Sequence, residues 1–200
     1  MKTTRIMIVA VGGQGNILAA RVLGEAAAAS GIPFRMSEFH GMAQRGGVVE
    51  SMVLLGDGKG YCIADGEADV LLGFEPSETI RAAKKCSSRS MVITSTSELP
   101  PFTVAMGQDQ YPDVTTALKT MAGHVSRLIT LDAASLALKA GSAQAANMVM
   151  LGALAGSGIL PIDLKTYRET IRTRTKPRFA EINLIAFDLG TFAVNFSSTK

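Results

Sequence analysis

Residues 5–30 read RIMIVAVGGQGNILAARVLGEAAAAS. From Arg5 to Val11 the chain is β-favouring and, after the arginine, wholly apolar, which predicts a strand buried on both faces as in a parallel sheet. Gly12-Gly13-Gln14-Gly15 then breaks the pattern, and residues 16–30 predict a helix carrying Ile17, Val22, Leu23 and many alanines, closed by Gly31. Residues 33–39 predict a second strand. A strand, glycine turn, helix and strand in that order open a doubly wound α/β fold.

Working outward, strands are expected at 48–55, 70–74, 91–94 and 127–131, with a short returning strand at 61–63 after the turn Gly56-Asp57-Gly58. Helices are expected at 114–121, at 132–139 behind an Asp132 cap, at 144–155, at 163–173 and from Pro177 onward. Another is expected through Cys86 with Ser77 as its cap. In the last helix Phe179, Ile182, Ala186, Leu189, Ala193 and Phe196 form a stripe that should dock on the body or on a partner. Gly152 and Gly156, four apart on one helix face, should admit another backbone closely. Residues 97–112 contain prolines and predict a surface excursion. The expected architecture is a three-layer, doubly wound, mostly parallel (Rossmann-like) sheet with helices on both faces, forming a single domain over 1–200.

Composition excludes several classes. With 47% hydrophobic and 18% charged residues over 200 positions, the chain is far from disorder. A net charge of +3 without a basic block gives nucleic-acid binding no support. No run of 18 uninterrupted apolar residues exists, so no membrane span is expected. The start, Met1 to Arg5 before a short apolar run, superficially imitates a signal peptide, but the run is too short and ends in the glycine turn. The two cysteines, Cys62 and Cys86, form no C-x-x-C pair and cannot by themselves ligate an iron–sulfur cluster. They are expected as free thiols of a cytoplasmic protein.

Two segments invite a ligand. Glycines at a strand-to-helix turn remove the Cβ atoms that would keep an anion from the backbone N–H groups and the helix dipole. Gly12, Gly13, Gln14 and Gly15 are therefore candidates for phosphate, although Ala10 stands where a dinucleotide fingerprint wants its first glycine. Glu38, at the end of the second strand, is near the place of a ribose-binding acid. The second segment, 37–47, reads Ser-Glu-Phe-His-Gly-Met-Ala-Gln-Arg-Gly-Gly and leaves the same strand at its carboxyl end, the edge where open α/β sheets bind ligands. Gln44, Arg45, Gly46 and Gly47 join the candidate set. The Arg45 guanidinium suits a phosphate or carboxylate, and the two glycines allow close approach. No nucleophile–base pair is visible, so no catalytic residue is assigned and no metal site is expected.

With these motifs stated, the chain resembles the gamma-type subunits of 2-oxoacid:ferredoxin oxidoreductases, and among them the small (beta) subunits of the indolepyruvate enzymes. The resemblance rests on Gly12 to Gly15, on the Met42 to Gly47 run, on Gly66-Glu67-Ala68-Asp69-Val70-Leu71-Leu72-Gly73-Phe74-Glu75-Pro76 and on 147–154. It implies oxidation of a 2-oxoacid, for this branch indolepyruvate or another aryl pyruvate, to an acyl-CoA, with ferredoxin as electron acceptor. It also implies thiamine diphosphate, Mg and [4Fe-4S] clusters on a large partner subunit, none of them on this chain, and coenzyme A as co-substrate. Ferredoxin would be met only indirectly, through the partner. A free-standing NAD-dependent oxidoreductase and a non-catalytic interaction module are the alternatives. The second draws on the Gly152/Gly156 face and the last helix, and the isolated chain is expected to be able to pair with itself.

Overall fold

The computed structural model describes residues 3–40, 47–100, 104, 106, 107 and 110–196. Six strands form one sheet: β1 (Thr4–Val11), β2 (Phe34–His40), β3 (Val48–Leu55), β4 (Ala68–Gly73), β5 (Cys86–Ser95) and β6 (Arg127–Leu131). Their order across the sheet is β2-β3-β1-β4-β5-β6. β1, β4, β5 and β6 run parallel, while β3 lies antiparallel to both of its neighbours. Described helices are α1 (Asn16–Ala29), α2 (Pro76–Arg81), α3 (Val114–Ala122), α4 (Ala133–Lys139), α5 (Ala146–Gly156), α6 (Leu164–Arg174) and α7 (Ala180–Phe196).

The period of two along β1 sorts its side chains between two cores. Ile6, Ile8 and Ala10 face the layer of α1, α4, α5, α6 and α7. Met7 and Val9 face Ala82, Leu118 and Met121 on the opposite layer. Every residue from Ile6 to Val11 is at most 2% exposed, as the unbroken apolar run predicted. The three-layer, mostly parallel architecture expected from sequence is the one observed.

Several local expectations are corrected. The helix after β4 is capped by Glu75, not Ser77: the Glu75 carboxylate accepts the Glu78 N–H at 3.0 Å, and Pro76 occupies the first helical position, where its missing N–H costs nothing. It does not reach Cys86, because Ala82–Lys85 tightens into a 3₁₀ turn and Cys86 pairs with Ala68 in the β4–β5 ladder. Residues 61–63 add no strand. Ile63 is instead buried across the face of β3, its N–H directed at the Met52 sulfur at 3.3 Å.

The last helix buries a stripe rotated from the expected one, centred on Asn183, Ala186, Phe187, Gly190 and Val194. Ile182, Leu189 and Ala193 only flank it, and Phe179 is exposed. Glycine explains the rotation. A Cβ on Gly152 would lie far inside contact with the Phe187 carbonyl, one on Gly190 would do the same with the Val149 carbonyl, and one on Gly156 would come within 2.7 Å of the Thr191 oxygen. Thr191 Oγ1 also donates to the Gly152 carbonyl at 3.2 Å. The small-residue face set aside for a partner is thus filled by α7 of the same chain.

This contact makes a signed prediction. Alanine is the better helix former by about 1 kcal/mol, so propensity alone would make Gly152→Ala and Gly190→Ala stabilising. Forcing the helices apart costs roughly 1–3 kcal/mol or more. We expect each variant to melt lower by several degrees in a thermal unfolding experiment, and an unchanged or raised Tm would refute the backbone contact.

Candidate functional site

The parallel strands end on one edge, and the chain crosses between them where the winding reverses, between β1 and β4. At that switch point the Gln14 side chain bridges the two strand ends. Its carbonyl oxygen accepts the Val11 N–H at 2.8 Å and its amide donates to the Phe74 carbonyl at 3.2 Å. Gly12 donates its N–H to the Gly47 carbonyl at 2.7 Å, so the structure joins the glycine turn to the end of the second candidate segment. Gln44, Arg45 and Gly46 lie outside the described residues.

Gly13 and Gly15 adopt positive φ, 103° and 78°. A Cβ on Gly13 would meet nothing within 4 Å among the described residues. A Cβ on Gly15 would come within 2.6 Å of the Asn147 side-chain nitrogen, which donates to the Gly15 carbonyl at 3.3 Å. Asn147 fixes the turn from 132 residues away, a partner that no local pattern announces. Asn16, the first residue of α1, is buried and tied to Ser51 of β3 by its amide at 3.2 Å.

Helices that begin at this edge are capped differently. Asp132 caps α4 by accepting the Ser135 N–H at 3.0 Å, and Glu75 caps α2. At α1 the cap is Gly15, with no side-chain hydrogen bond and no acid in the first turn. Among the described residues no side-chain cap meets its positive end. Beside it opens a cleft of about 360 Å³, lined by Gly13, Gln14, Phe74, Ser97, Gln144 and Met150 among others. That volume suits a small organic ligand or one arm of a larger one.

Sequence reasoning passed over the Glu75 node. Fully buried, Glu75 accepts hydrogen bonds from Ser77, the Tyr111 hydroxyl and, at 3.4 Å, the Leu99 N–H, fastening the 97–112 excursion to α2. Burial, reinforced by that bond, pushes the Tyr111 hydroxyl well above its ordinary pKa, so it stays a donor. The available signal was Pro76, which marks the residue before it as a cap.

Glu38 does not reach the glycine turn. β3 stands between β1 and β2, placing Glu38 two strand spacings from β1, roughly 10 Å. The ribose contact behind the nicotinamide alternative is therefore missing. Among the described residues no three His, Cys, Asp or Glu side chains gather to hold a metal ion. Cys62 is exposed and Cys86 half-buried, both free, and burial pushes the Cys86 thiol up to about 11. The arrangement joins a helix terminus without a side-chain cap to a cleft; among the described residues it presents no paired nucleophile and base.

Glu78, one turn into α2, is 1% exposed, and its carboxyl oxygens have no hydrogen-bond partner among the described residues. Burial raises its pKa against the opposing pull of Arg81, with Glu75 and Glu50 adding to the rise. A carboxyl whose folded pKa exceeds its unfolded value is favoured when protonated, so the stability it supplies falls as pH climbs from the ordinary carboxylate range through the folded value. Relieving a buried unsatisfied group is worth about 1–3 kcal/mol. Glu78→Met should therefore raise Tm by several degrees near neutral pH, with the gain shrinking toward about pH 4. A gain independent of pH would show that charge is not its source.

Comparison with known proteins places this geometry. The chain is 41% identical over 182 residues to "Indolepyruvate oxidoreductase subunit IorB" of Methanothermobacter thermautotrophicus, covering 91% of this chain and 93% of that one. It is 36% identical over 195 residues to the protein of the same name from Pyrococcus horikoshii, covering 96% of each. The fold superposes with a TM-score of 0.69 on the gamma subunit of a keto/oxoacid ferredoxin oxidoreductase from Geobacter sulfurreducens, at 22% identity, over 96% of this chain and 99% of that one. Residues 5–193 match the pyruvate ferredoxin/flavodoxin oxidoreductase family, and the chain belongs to it.

Proposed function

We propose that this chain is the small subunit of a 2-oxoacid:ferredoxin oxidoreductase that acts on indolepyruvate or a similar aryl pyruvate. The observation that carries the reading is the 41% identity, along nearly the full length of both chains, to a protein named as an indolepyruvate oxidoreductase subunit. Decarboxylation on thiamine diphosphate with Mg, and transfer of two electrons singly through [4Fe-4S] clusters to ferredoxin, are chemistry supplied on a large partner subunit. Two cysteines without C-x-x-C spacing do not fit a cluster here. The whole chain works as one domain, in the cytoplasm; among the described residues no helix is long and apolar enough to cross a membrane. In isolation it can pair with itself.

Within that assembly the chain's own part is to present coenzyme A. Support comes from the uncapped α1 terminus, the space at Gly13 among the described residues and the adjoining cleft. Backbone N–H groups there suit an anionic oxygen. Gln14 keeps the turn in shape, and Gln44, Arg45, Gly46 and Gly47 complete the binding segment.

The decisive experiment is co-expression with the large subunit. The two chains should purify together, and aryl-pyruvate-dependent reduction of ferredoxin should require both. Full turnover by the large subunit alone, or turnover by this chain alone, would overturn the reading. Within the active complex, Arg45→Ala should raise the KM for coenzyme A about tenfold or more, the loss of one charge-assisted contact, with little change in the KM for the oxoacid. An unchanged coenzyme A KM removes Arg45 from the site.

A further inference from the structure

β2 ends the sheet on one side, and no described strand lies beyond it. Its ladder with β3 runs from Phe34 opposite Leu55 to His40 opposite Val49 in one continuous register, without a bulge. The Pro33 carbonyl extends that ladder by accepting the Gly56 N–H at 2.7 Å. Backbone groups alternate sides along an antiparallel strand. Those of Arg35, Ser37 and Phe39 therefore turn toward β3, and those of Phe34, Met36, Glu38 and His40 turn outward. Proteins blunt such an edge with lysine, proline, a bulge or a very short strand. β2 has seven residues and none of these devices. β6, at the other edge, has five.

Apolar surface on both faces of this edge is the second observation. Phe39 is 48% exposed on the face that carries Arg35 and Ser37, and Tyr61, whose carbonyl accepts the Ser37 hydroxyl, is 60% exposed beside it. Ile17 is 42% exposed above the other face, on the side of α1 where a Cβ on Gly24 would strike the Phe34 ring. None of the large apolar residues left exposed is on β6.

Charge selects the occupant. Arg35 stands near the start of the strand and Glu38 near its end. A parallel neighbour of the same sequence would set like charges side by side. An antiparallel copy, related by a two-fold axis at Met36 or at Ser37, sets the Arg35 end of each strand beside the Glu38 end of the other, and in both registers the outward backbone groups of Phe34, Met36 and Glu38 find partners. Arg35 and Glu38 leave opposite faces, so their charges steer direction and register without forming a salt bridge. The exposed parts of Ile17, Phe39 and Tyr61 amount to roughly 300 Å² in each copy, and the paired strand edges bring the total toward the ~1,000 Å² that a weak specific interface requires.

We propose that a second copy of this chain pairs along β2, joining the two sheets into one across a two-fold axis. This deepens one part of the function proposed above, the pairing of the isolated chain with itself, and rests on that part alone. Failure here leaves co-purification and turnover with the large subunit untouched, and failure there leaves this edge as it is.

The test is sedimentation equilibrium of the full chain from about 1 to 200 µM, where an interface of this size should give a dimer. Hydrogen exchange compared at the two ends of that range should slow at the outward amides of Met36 and Glu38 and stay constant along α7 and β6. Glu38→Pro removes one outward N–H and none from the β3 ladder, a position where edge strands tolerate proline, and should weaken the dimer by about tenfold or more. Phe39→Lys changes only an exposed side chain and should weaken it as well, so the test does not depend on the proline variant folding. A chain that stays monomeric at the highest concentration, a dimer indifferent to both variants, or protection on α7 or β6 in place of β2 overturns the proposal. Protection of β2 that arises only when the large subunit is added also overturns it and gives the edge to that partner.

Discussion

One side-chain amide governs the shape of the edge where the glycine turn lies. Gln14 takes a backbone N–H from the end of β1 and gives its own N–H to the chain leaving β4, across the point where the winding reverses. The two strands are thereby pinned while Gly13 and Gly15, in the turn between them, are held at positive φ, which glycine adopts freely. With Asn147 pressing from the other side, the first turn of α1 can point outward without a side chain of its own to satisfy it.

Around that turn the molecule separates what must be rigid from what must stay open. Acidic caps close α2 and α4, and Glu75 doubles as the anchor of a long surface segment. The layer that carries α1 is locked by contact of helix backbones at Gly152, Gly156 and Gly190, which spends the small-residue face inside the chain. Apolar surface left for other molecules lies elsewhere, at the outer side of α7, where Ile185 and Phe192 are exposed, and near the end of β2, where Phe39 and Tyr61 are.

Much of this was legible in the sequence because it is local. The apolar run from Ile6 to Val11, the glycine turn, the Asp132 cap and strand 48–55 declare themselves within a few residues. What was not legible is set by distant partners. The antiparallel course of β3, and with it the displacement of Glu38, follows from pairing of strands far apart in sequence. Asn147 acts on Gly15 across 132 positions. The rotated stripe of α7 follows from glycines on another helix, which let Phe187 and Gly190 sink inward and turn Phe179 outward. The cap at Glu75 was misassigned to Ser77 because glutamate is a rarer cap than serine, although Pro76 held the clue. Of the candidate site, Gly12 to Gly15 and Gly47 come together as the two motifs suggested, joined by one backbone bond.

The unequal settings of the two thiols carry a practical corollary. With its pKa raised to about 11, Cys86 stays almost entirely protonated at neutral pH and reacts slowly with electrophiles. Cys62 is exposed in the segment after β3, next to the exposed Tyr61 ring. A maleimide dye or spin label offered to the native chain would settle on that one residue, giving a single reporter beside an aromatic patch, with no cysteine needing to be engineered in or out.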